Sequence, residues 1–236
     1  MRKSAFITGV GSGIGKETCL HFLKCGWNVI GILRNKKQQQ DLEMLSESCP
    51  GQLSLINVDL QDSNVIDKIV LALGDMGVSQ LDVVLHIAGV LEVKGCMDID
   101  SNHIDRVFKV NFTVPVLLTQ LLLPFLEESE CANVLGITSM SGYQGSVRFG
   151  GLSIYGASKA ALGSWLESAS VEYAEKNIHL NALAIGSVNT EMLQKAFPDY
   201  QATINPTEMA EYIYSFANHG YKFYNGKSLS VAITNP

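Results

Sequence analysis

The chain has 236 residues, of which 47% are hydrophobic and 17% are charged, and its formal net charge is −6 at pH 7. This length and apolar content fit a single α/β domain with a large core. Sequence-independent binding of nucleic acid requires clustered Lys and Arg side chains, and the longest basic run is the short stretch Arg34–Lys37. We therefore expect one domain over residues 1–236 and no nucleic-acid partner.

The five cysteines are scattered and never spaced as C-x-x-C. This pattern argues against a disulfide framework and against a zinc site. The apolar run near the start, in residues 1–10, is too short for a secretion signal and leads into a glycine loop. We expect a cytoplasmic protein with reduced thiols and no metal centre.

Apolar runs of strand length alternate with segments of helical period along the chain. The strand candidates are AFITGV, NVIGIL, LSLINV, LDVVLHIA, NVLGIT, IHLNALAI and, at the end, KSLSVAI. The helical segments are 15–25, 38–48, 65–73, 103–126 and 155–176. Such alternation predicts right-handed βαβ units. We expect an α/β fold, a doubly wound and mostly parallel sheet (a Rossmann fold) with helices on both faces and a ligand at the carboxyl ends of its strands.

The segment Val110–Leu126 is strongly apolar but contains Asn111, Gln120 and two prolines. A membrane-spanning helix needs about 20 predominantly apolar residues. We expect a buried helix or a subunit interface here, and no membrane partner. The small and apolar face of 155–173 is a second surface that could join copies in a homodimer or homotetramer, unless packing within one chain buries both.

The first predicted strand ends in a glycine loop, TGVGSGIG, that leads directly into a helix. Such a loop lets the pyrophosphate of a dinucleotide approach the backbone and the helix N-terminus. The alternative is a plain strand-to-helix turn. The residues expected to contact the cofactor here are Gly9, Ser12, Gly13, Ile14 and Gly15.

The second predicted strand ends in Leu33 and Arg34, with Lys36 and Lys37 close by. An acidic residue at this point would bind the ribose hydroxyls of NAD, whereas a basic one accommodates the 2′-phosphate of NADP. The pattern favours NADP(H), although Arg34 could instead be a solvated residue at a helix start. Asp59, at the end of the third strand, is a candidate for the adenine amino group or for a helix cap.

Tyr155 and Lys159 lie one helical turn apart in the stretch SIYGASKAAL. A free tyrosine has a pKa of about 10 and is a poor base at neutral pH. A lysine on the same helix face is positioned to favour the phenolate and so to lower this pKa. On the pentapeptide alone, a solvated helix face with an incidental Tyr and Lys is the favoured interpretation.

Taken together, TGVGSGIG, HIAG, Asn111, Ser139 and YGASK resemble the short-chain dehydrogenase/reductase family in its short, single-domain branch. The resemblance implies a catalytic tetrad of Asn111, Ser139, Tyr155 and Lys159, with Ser141 as an alternative serine. Tyr155 would exchange a proton with the substrate oxygen, and Ser139 would orient that oxygen.

The resemblance also implies further cofactor contacts. Lys159 would hold the ribose hydroxyls, and Asn111 would hold a water that links Lys159 to solvent. Ala88 and Gly89 would lie beside the cofactor, and after the sixth strand the sequence IGSVNT supplies Gly186 and a threonine, Thr190, for the nicotinamide carboxamide.

Two departures from the family pattern affect the cofactor side. His86 and Ile87 replace the two amides of the family's NNAG sequence, from which we expect altered packing. His86 could be a catalytic base, although a structural hydrogen bond is the favoured reading. Ile185 replaces a proline, which is expected to loosen the loop that carries Thr190.

A third departure affects the substrate side. Ser139 and Tyr155 are 16 residues apart, and the glycine-rich segment between them could carry Arg148 and Phe149 toward a substrate. The pocket walls are expected from 141–152 and 190–206, and neither segment contains a motif that names a ligand.

The expected reaction is NADP(H)-preferring interconversion of a carbonyl compound and a secondary alcohol by hydride transfer. A cofactor-binding sensor or structural protein that has lost catalysis is the main alternative. An epimerase or dehydratase of the extended branch is disfavoured, because only 46 residues follow Thr190.

Overall fold

The computed structural model describes residues 2–233. Seven strands of this part of the chain form one sheet, and all neighbouring strands pair in parallel. In chain order the strands are β1 (Ser4–Thr8), β2 (Asn28–Leu33), β3 (Gln52–Asn57), β4 (Val83–His86), β5 (Ala132–Ser139), β6 (Ile178–Ile185) and β7 (Lys227–Val231). Their order across the sheet is β3-β2-β1-β4-β5-β6-β7. The predicted α/β, doubly wound fold is confirmed.

Helices connect the strands. They are α1 (Gly13–Lys24), α2 (Lys36–Ser46), α3 (Val65–Asp75), α4 (Ser101–Phe108), α5 (Val114–Glu127), α6 (Ser153–Tyr173), α7 (Glu191–Ala196) and α8 (Pro206–His219). The five helical segments predicted from the sequence correspond to α1 to α6, with α4 and α5 in one stretch. Helices α7 and α8 lie where no helix is expected from the apolar pattern.

A five-residue π turn, Lys109–Thr113, joins α4 to α5. The whole stretch Ser101–Glu127 is long and apolar enough to cross a membrane by length and composition, and 44% of its most apolar window is buried inside the fold. Leu118 and Leu122 of α5 are fully buried against the sheet. The stretch therefore packs as a core helix, as expected from its polar residues and prolines.

Two apolar cores cover the two faces of the sheet, because successive side chains of a strand point to opposite faces. On one face Phe6 of β1 packs with residues of α3, α5 and α6. On the other face Ile7 packs with residues of α1 and α8. A parallel sheet is stable only when both faces are covered in this way.

Helix α8 completes the second face although its apolar pattern is short. Asn205 and Glu208 form a capping box, and Pro206 occupies the first turn. Met209 and Ile213, one turn apart, are buried against the sheet. Capping residues followed by this spacing are a helix signal that the sequence does contain.

The strand order reverses between β1 and β4, since β1 leads outward to β2 and β3 while β4 leads to β5, β6 and β7. All seven carboxyl ends lie along one edge of the sheet. In folds of this kind a crevice opens at the reversal, outside the carboxyl ends. The glycine loop, Arg34, Asp59, Ala88 and Gly186 all follow closely after one of these strand ends.

Candidate active site

The glycine loop after β1 is shaped by conformations and contacts that a side chain would not allow. Gly9 and Gly13 have φ values of +81° and +54°, in the left-handed region. A Cβ atom on Gly15 would lie 2.1 Å from the carbonyl oxygen of Gly9. The chain can therefore turn tightly between β1 and α1 only with glycine at these positions.

The residues of this loop fit the pyrophosphate of a dinucleotide. Ser12 is the N-cap residue of α1, and its side chain makes no capping hydrogen bond. The first amides of a helix have no partner within the helix and attract anions. Across the loop, a Cβ on Gly13 would lie 3.3 Å from Cγ2 of Thr190. The predicted phosphate-binding and carboxamide-binding residues thus lie side by side, with Ile14 on the wall of the same cavity.

Thr8 links the glycine loop to the segment after β4. Its buried hydroxyl oxygen accepts hydrogen bonds from the amides of Ile87 and Ala88, both at 3.1 Å. A Cβ on Gly9 would lie 2.9 Å from Ala88, so the two segments are in close contact. Thr8 opens the glycine motif but is not among the residues expected to contact the cofactor.

Arg34 and Asp59 lie at the ends of β2 and β3 and form an ion pair. Arg34 Nη1 is 3.2 Å from Asp59 Oδ2, and the side chains are 62% and 37% exposed. Asp59 also accepts a hydrogen bond from the amide of Gln61, so it caps a turn. The N-cap of α2 is Asn35, which accepts hydrogen bonds from two amides of the first turn. Arg34 therefore lies outside the helix, with its guanidinium in solvent at the edge where an adenosine would bind.

His86, at the end of β4, is buried and makes the structural hydrogen bond expected of it. Its Nε2 lies 2.8 Å from the hydroxyl of Thr119, which donates to the carbonyl of Pro115. Nε2 is therefore the donor, and Nδ1 has no partner among the described residues. Burial, together with the nearby Lys159, lowers the pKa of His86 to about 3. The imidazole is neutral at physiological pH and is no proton acceptor there.

Ser139 and Tyr155 meet at the wall of a cavity. Ser139 ends β5, and Tyr155 lies in the first turn of α6. Both side chains line this cavity, and the Ser139 hydroxyl is close enough to influence the pKa of Tyr155. The helix approaches closely because Gly156 leaves room, since a Cβ there would lie 2.6 Å from the carbonyl oxygen of Ser141. Ser141 serves through its backbone, whose amide donates to the Ser139 hydroxyl at 3.1 Å.

The pKa of Tyr155 is raised, and the sequence-based expectation of a lowered value is wrong for the protein alone. Burial disfavours the phenolate and is the larger cause of the raised pKa, while the nearby Ser139 hydroxyl acts in the opposite direction. Lys159 Nζ lies 6.0 Å from the centre of the Tyr155 ring. It donates instead to the backbone carbonyl of Ile137 at 2.8 Å. Burial also lowers the pKa of Lys159, to about 8.

Asn111 lies in the π turn, and its buried side chain is fully engaged by the protein. Its Oδ1 accepts from the amide of Val90 at 2.8 Å, and its Nδ2 donates to the carbonyl of Val90 and to the hydroxyl of Ser158. Ser158 in turn donates to the carbonyl of Tyr155 at 2.7 Å. The side chain therefore positions the segment after β4 and the first turn of α6. Because both hydrogens of its side-chain amide already donate to protein atoms, they are not free to bind the water expected at Asn111.

The segment after β6 is anchored, in contrast to the loosening expected from Ile185. The amide of Gly186 donates to the carbonyl of Val231 at 2.9 Å, and that of Asn189 donates to Ile204 at 2.8 Å. Thr190 caps α7, its hydroxyl oxygen accepting from the amide of Leu193 at 3.2 Å. Backbone pairing on both sides thus replaces the stiffness that a proline would provide. The Thr190 hydroxyl keeps its own hydrogen to donate.

A cavity of about 210 Å³ opens beside these groups. Ser139, Tyr155 and Thr190 are on its wall, and Phe149 lines it as expected. Arg148 does not, because its guanidinium donates to the backbone carbonyls of Met140 and Ser141 and lies over a neighbouring depression. Residues from both predicted wall segments, 141–152 and 190–206, line the cavity. Of the Arg148–Phe149 pair, however, only Phe149 reaches it.

Gly89 lies next to both Asn111 and Lys159. A Cβ on Gly89 would be 3.4 Å both from Asn111 Oδ1 and from Lys159 Nζ. The structure therefore brings all four tetrad positions and the glycine loop to one end of the sheet. Arg34 and Asp59 lie further along the same edge, beyond β1.

The fold and sequence are similar to those of known proteins. The family model described as short chain dehydrogenase matches residues 3–201. A 3-oxoacyl-(acyl-carrier-protein) reductase, FabG, of Thermotoga maritima is 27% identical, with 97% of this chain and 96% of that protein covered.

Solved structures give the same result. That of ElxO with NADP bound has a TM-score of 0.84 at 26% identity and covers 98% of both chains. That of a 4-hydroxyisoleucine dehydrogenase complexed with NADH has a TM-score of 0.86 at 22% identity, over 98% of this chain and 97% of that one. The latter likeness concerns the fold alone. Because the family model covers most of the sequence, this chain belongs to the short chain dehydrogenase family of NAD(P)-dependent oxidoreductases.

Proposed function

We propose that the protein is an NADP(H)-preferring oxidoreductase that interconverts a carbonyl compound and a secondary alcohol. The observation that carries the proposal is the pair of hydroxyls, Ser139 and Tyr155, on the wall of one cavity. The same cavity is bounded by Gly186 and Thr190, beside the glycine loop. A proton donor and a dinucleotide site are thus adjacent, as hydride transfer to a carbonyl requires.

In the reductive direction the carbonyl carbon would accept a hydride, which a reduced nicotinamide dinucleotide held at the glycine loop would supply. Tyr155 donates its hydroxyl proton to the carbonyl oxygen, and Ser139 donates a hydrogen bond that orients this oxygen. The raised pKa of Tyr155 keeps the hydroxyl protonated at neutral pH, which suits an acid. In the oxidative direction the same side chain must lose its proton, and a positive charge nearby is then required.

Lys159 is the residue that provides such a charge. Its side chain is buried, and its ammonium group donates to the carbonyl of Ile137. It also lies next to Gly89, since a Cβ atom on Gly89 would be 3.4 Å from Lys159 Nζ. A cation with little solvent around it acts over a longer distance than a solvated one. We assign to Lys159 both the stabilisation of a Tyr155 phenolate and the hold on the ribose hydroxyls.

The preference for NADP(H) rests on Arg34. The Arg34 side chain is 62% exposed, and only its Nη1 contacts Asp59, at one carboxylate oxygen. The other N–H groups of the guanidinium therefore remain to bind a 2′-phosphate. Lys36 and Lys37 begin α2 beside it. The chain has Leu33 rather than an acid at the end of β2. Among the similar structures, ElxO holds NADP, whereas the 4-hydroxyisoleucine dehydrogenase holds NADH.

The test is NADPH oxidation with a panel of aldehydes and ketones, followed by absorbance, for the wild type and Tyr155→Phe. We expect turnover in the wild type and a loss of at least about 100-fold in kcat for the variant, the contribution of a general acid. Tyr173→Phe, at the far end of the same helix, is the matched control and should retain full activity. Equal kcat for the wild type and Tyr155→Phe would refute the mechanism.

The same experiment separates the alternative of a sensor that binds the dinucleotide without catalysis. His86 and Ile87 in place of two amides, and the raised pKa of Tyr155, are the observations that favour this reading. NADPH binding by fluorescence with no turnover of any carbonyl would support it. Measurable, Tyr155-dependent turnover would exclude it.

We further propose that the protein forms a homodimer or homotetramer. Leu117 of α5 is 40% exposed and Val171 of α6 is 77% exposed, so both helices present apolar side chains at the surface. Sedimentation of Leu117→Asp and of the wild type at matched concentrations tests this. Leu117 is suited because the neighbouring Leu118 is fully buried in the core, where a charge would unfold the protein.

A further inference from the structure

We infer that the substrate is a neutral, apolar carbonyl compound, a ketone or aldehyde whose carbonyl group carries an alkyl or aryl chain rather than a carboxylate, phosphate or ammonium group. The inference deepens the proposed function and rests on it for the position of the reacting carbonyl. It follows from the side chains that line the cavity and from where the neighbouring charges point.

The cavity divides into a cofactor side and a substrate side. Ile14, Gly186 and Thr190 lie on the first, next to the glycine loop. The remaining wall, beyond Ser139 and Tyr155, is formed by large apolar and aromatic side chains. They are Leu91, Met140, Phe149, Leu152, Met192, Leu193, Phe197 and Tyr200.

The polar groups on the wall are all uncharged. Besides Ser139, Tyr155 and Thr190 they are Ser141, Ser187 and the hydroxyl of Tyr200. None of the described residues that line the cavity is Asp, Glu, Lys, Arg or His. An anionic or cationic substrate would lose water here without gaining an opposite charge, which costs several kcal/mol.

Two cationic side chains that lie close to the wall in sequence are directed elsewhere. Arg148, which adjoins Phe149, donates to two backbone carbonyls outside the cavity. Lys94, which follows the Leu91 segment, pairs with Asp100 at 2.9 Å. These contacts remove two cations that an acidic substrate would otherwise recruit.

Helix α7 shows the same separation of charge from the cavity. Glu191 and Lys195 are 3.9 Å apart and are 73% and 81% exposed. Met192 and Leu193, between them in sequence, line the cavity. The helix thus turns its apolar residues inward and its charged residues to solvent.

The size of the cavity limits the part of the substrate that lies next to the reacting carbonyl group. A volume of about 210 Å³ has to hold the reacting end of the substrate beside the nicotinamide site. The apolar wall continues from Tyr155 to Met192 and Tyr200, which are 41% and 47% exposed, so the cavity opens to solvent at that end. A medium-length chain therefore lies along the wall with its far end at the opening.

The first experiment compares methyl levulinate with levulinate, two ketones that differ in whether the carboxyl group is esterified or ionised. We expect kcat/KM for the ester to exceed that for the acid by at least about 100-fold at neutral pH. In the series methyl ethyl, methyl butyl and methyl hexyl ketone, kcat/KM should rise about threefold to fourfold per added methylene. Saturation-transfer NMR on the same compounds measures binding separately from turnover.

The second experiment places a cation in the wall. Met192→Lys should lower the ester-to-acid ratio of kcat/KM by at least about tenfold, because the ammonium group can pair with the levulinate carboxylate. Met192→Leu keeps the wall apolar and should leave the ratio unchanged. Met97→Lys adds the same charge at a residue that is 96% exposed and outside the cavity, and it should also leave the ratio unchanged.

The outcomes separate the inference from the proposed function. Turnover of levulinate equal to or better than that of its ester, with Tyr155→Phe inactive on both, would overturn the inference and leave the reaction standing. Selective binding of the ester with no turnover of any ketone would overturn the proposed reaction and retain the selectivity of the cavity. Equal binding of ester and acid would overturn the inference whatever the turnover.

Discussion

The two sides of the cleft at the carboxyl edge of the sheet are built by different means. The cofactor side, from Gly9 to Gly15, depends on backbone positions where no side chain fits. The substrate side, which includes Phe149, Met192 and Tyr200, depends on apolar side chains that can be replaced by others of different shape. A substitution on the first side therefore has a steric cost that no neighbour can relieve, whereas one on the second changes which molecule fits.

The largest effect is expected for Gly15→Ala, which tests the backbone side directly. The added Cβ would lie 2.1 Å from the Gly9 carbonyl oxygen, and backbone cannot rotate away as a side chain can. We expect a loss of at least about 3 kcal/mol in the free energy of unfolding. NADPH affinity should fall at least about 100-fold in the variant that remains folded. Urea unfolding and fluorescence titration measure the two quantities.

The matched control is Gly74→Ala in α3. A Cβ on Gly74 meets nothing within 4 Å, and the residue has an ordinary helical conformation. Alanine should stabilise the protein by about 0.5–1 kcal/mol, since glycine is costly inside a helix. If Gly15→Ala behaves like Gly74→Ala, the steric account of the loop is wrong.

The next largest effect is the pH dependence of stability expected from His86, the last residue of β4. Its pKa in the folded protein is about 3, below the ordinary 6.5, so in this range the unfolded chain binds the proton and the folded protein does not. Stability contributed by the neutral imidazole is therefore present above the ordinary pKa and is lost as the pH falls. His86→Asn removes this dependence.

The measurement is urea unfolding of both proteins at several pH values. We expect the free energy of unfolding of the wild type, relative to His86→Asn, to fall by about 2–3 kcal/mol between pH 7 and pH 4.5. The comparison with the variant cancels the carboxylates that titrate in both proteins. A difference that stays constant with pH would show that the pKa of His86 is the same in the folded and the unfolded protein.

A smaller effect is expected at Arg34, where the cofactor side relies on a side chain. Arg34→Gln should lower kcat/KM for NADPH about tenfold, the value of one charge-assisted contact, and leave that for NADH within about twofold. Steady-state kinetics with both dinucleotides at fixed ionic strength give the ratio. An equal loss with NADH would mean that Arg34 acts only through its ion pair with Asp59.

The smallest effect is expected at Thr190, where the two sides meet. Thr190→Val removes the cap of α7 and should cost about 1 kcal/mol in stability, with a rise of several-fold in KM for the dinucleotide. Thr190→Ser keeps the hydroxyl and should behave as the wild type. If the valine and serine variants have the same thermal unfolding and the same KM for the dinucleotide, the Thr190 hydroxyl contributes neither to capping α7 nor to cofactor binding.

Much of the fold and of the cofactor side could be predicted because it depends on local patterns. Apolar runs identify the strands, and glycine spacing identifies the turn after β1. Helix α8 could also have been predicted, from the capping box at Asn205 and Glu208 and the spacing of Met209 and Ile213. It lacks the long apolar stretch that marks α5.

The remaining features depend on contacts between distant segments. Asn111 meets Val90 and Ser158 only because a π turn sets its direction. The raised pKa of Tyr155 follows from burial, which no spacing reveals. The position of Arg148 outside the cavity depends on two backbone carbonyls that happen to lie within its reach.

The π turn at Lys109–Thr113 makes the number of residues in this helix a constraint of its own. A π turn accommodates one residue more than a regular helix, and each residue of an α-helix turns the chain by about 100°. Deleting one residue here would let α4 and α5 form one regular helix. It would also rotate Asn111 away from Val90. The active-site end of this helix therefore accepts changes of residue type more readily than a change in length.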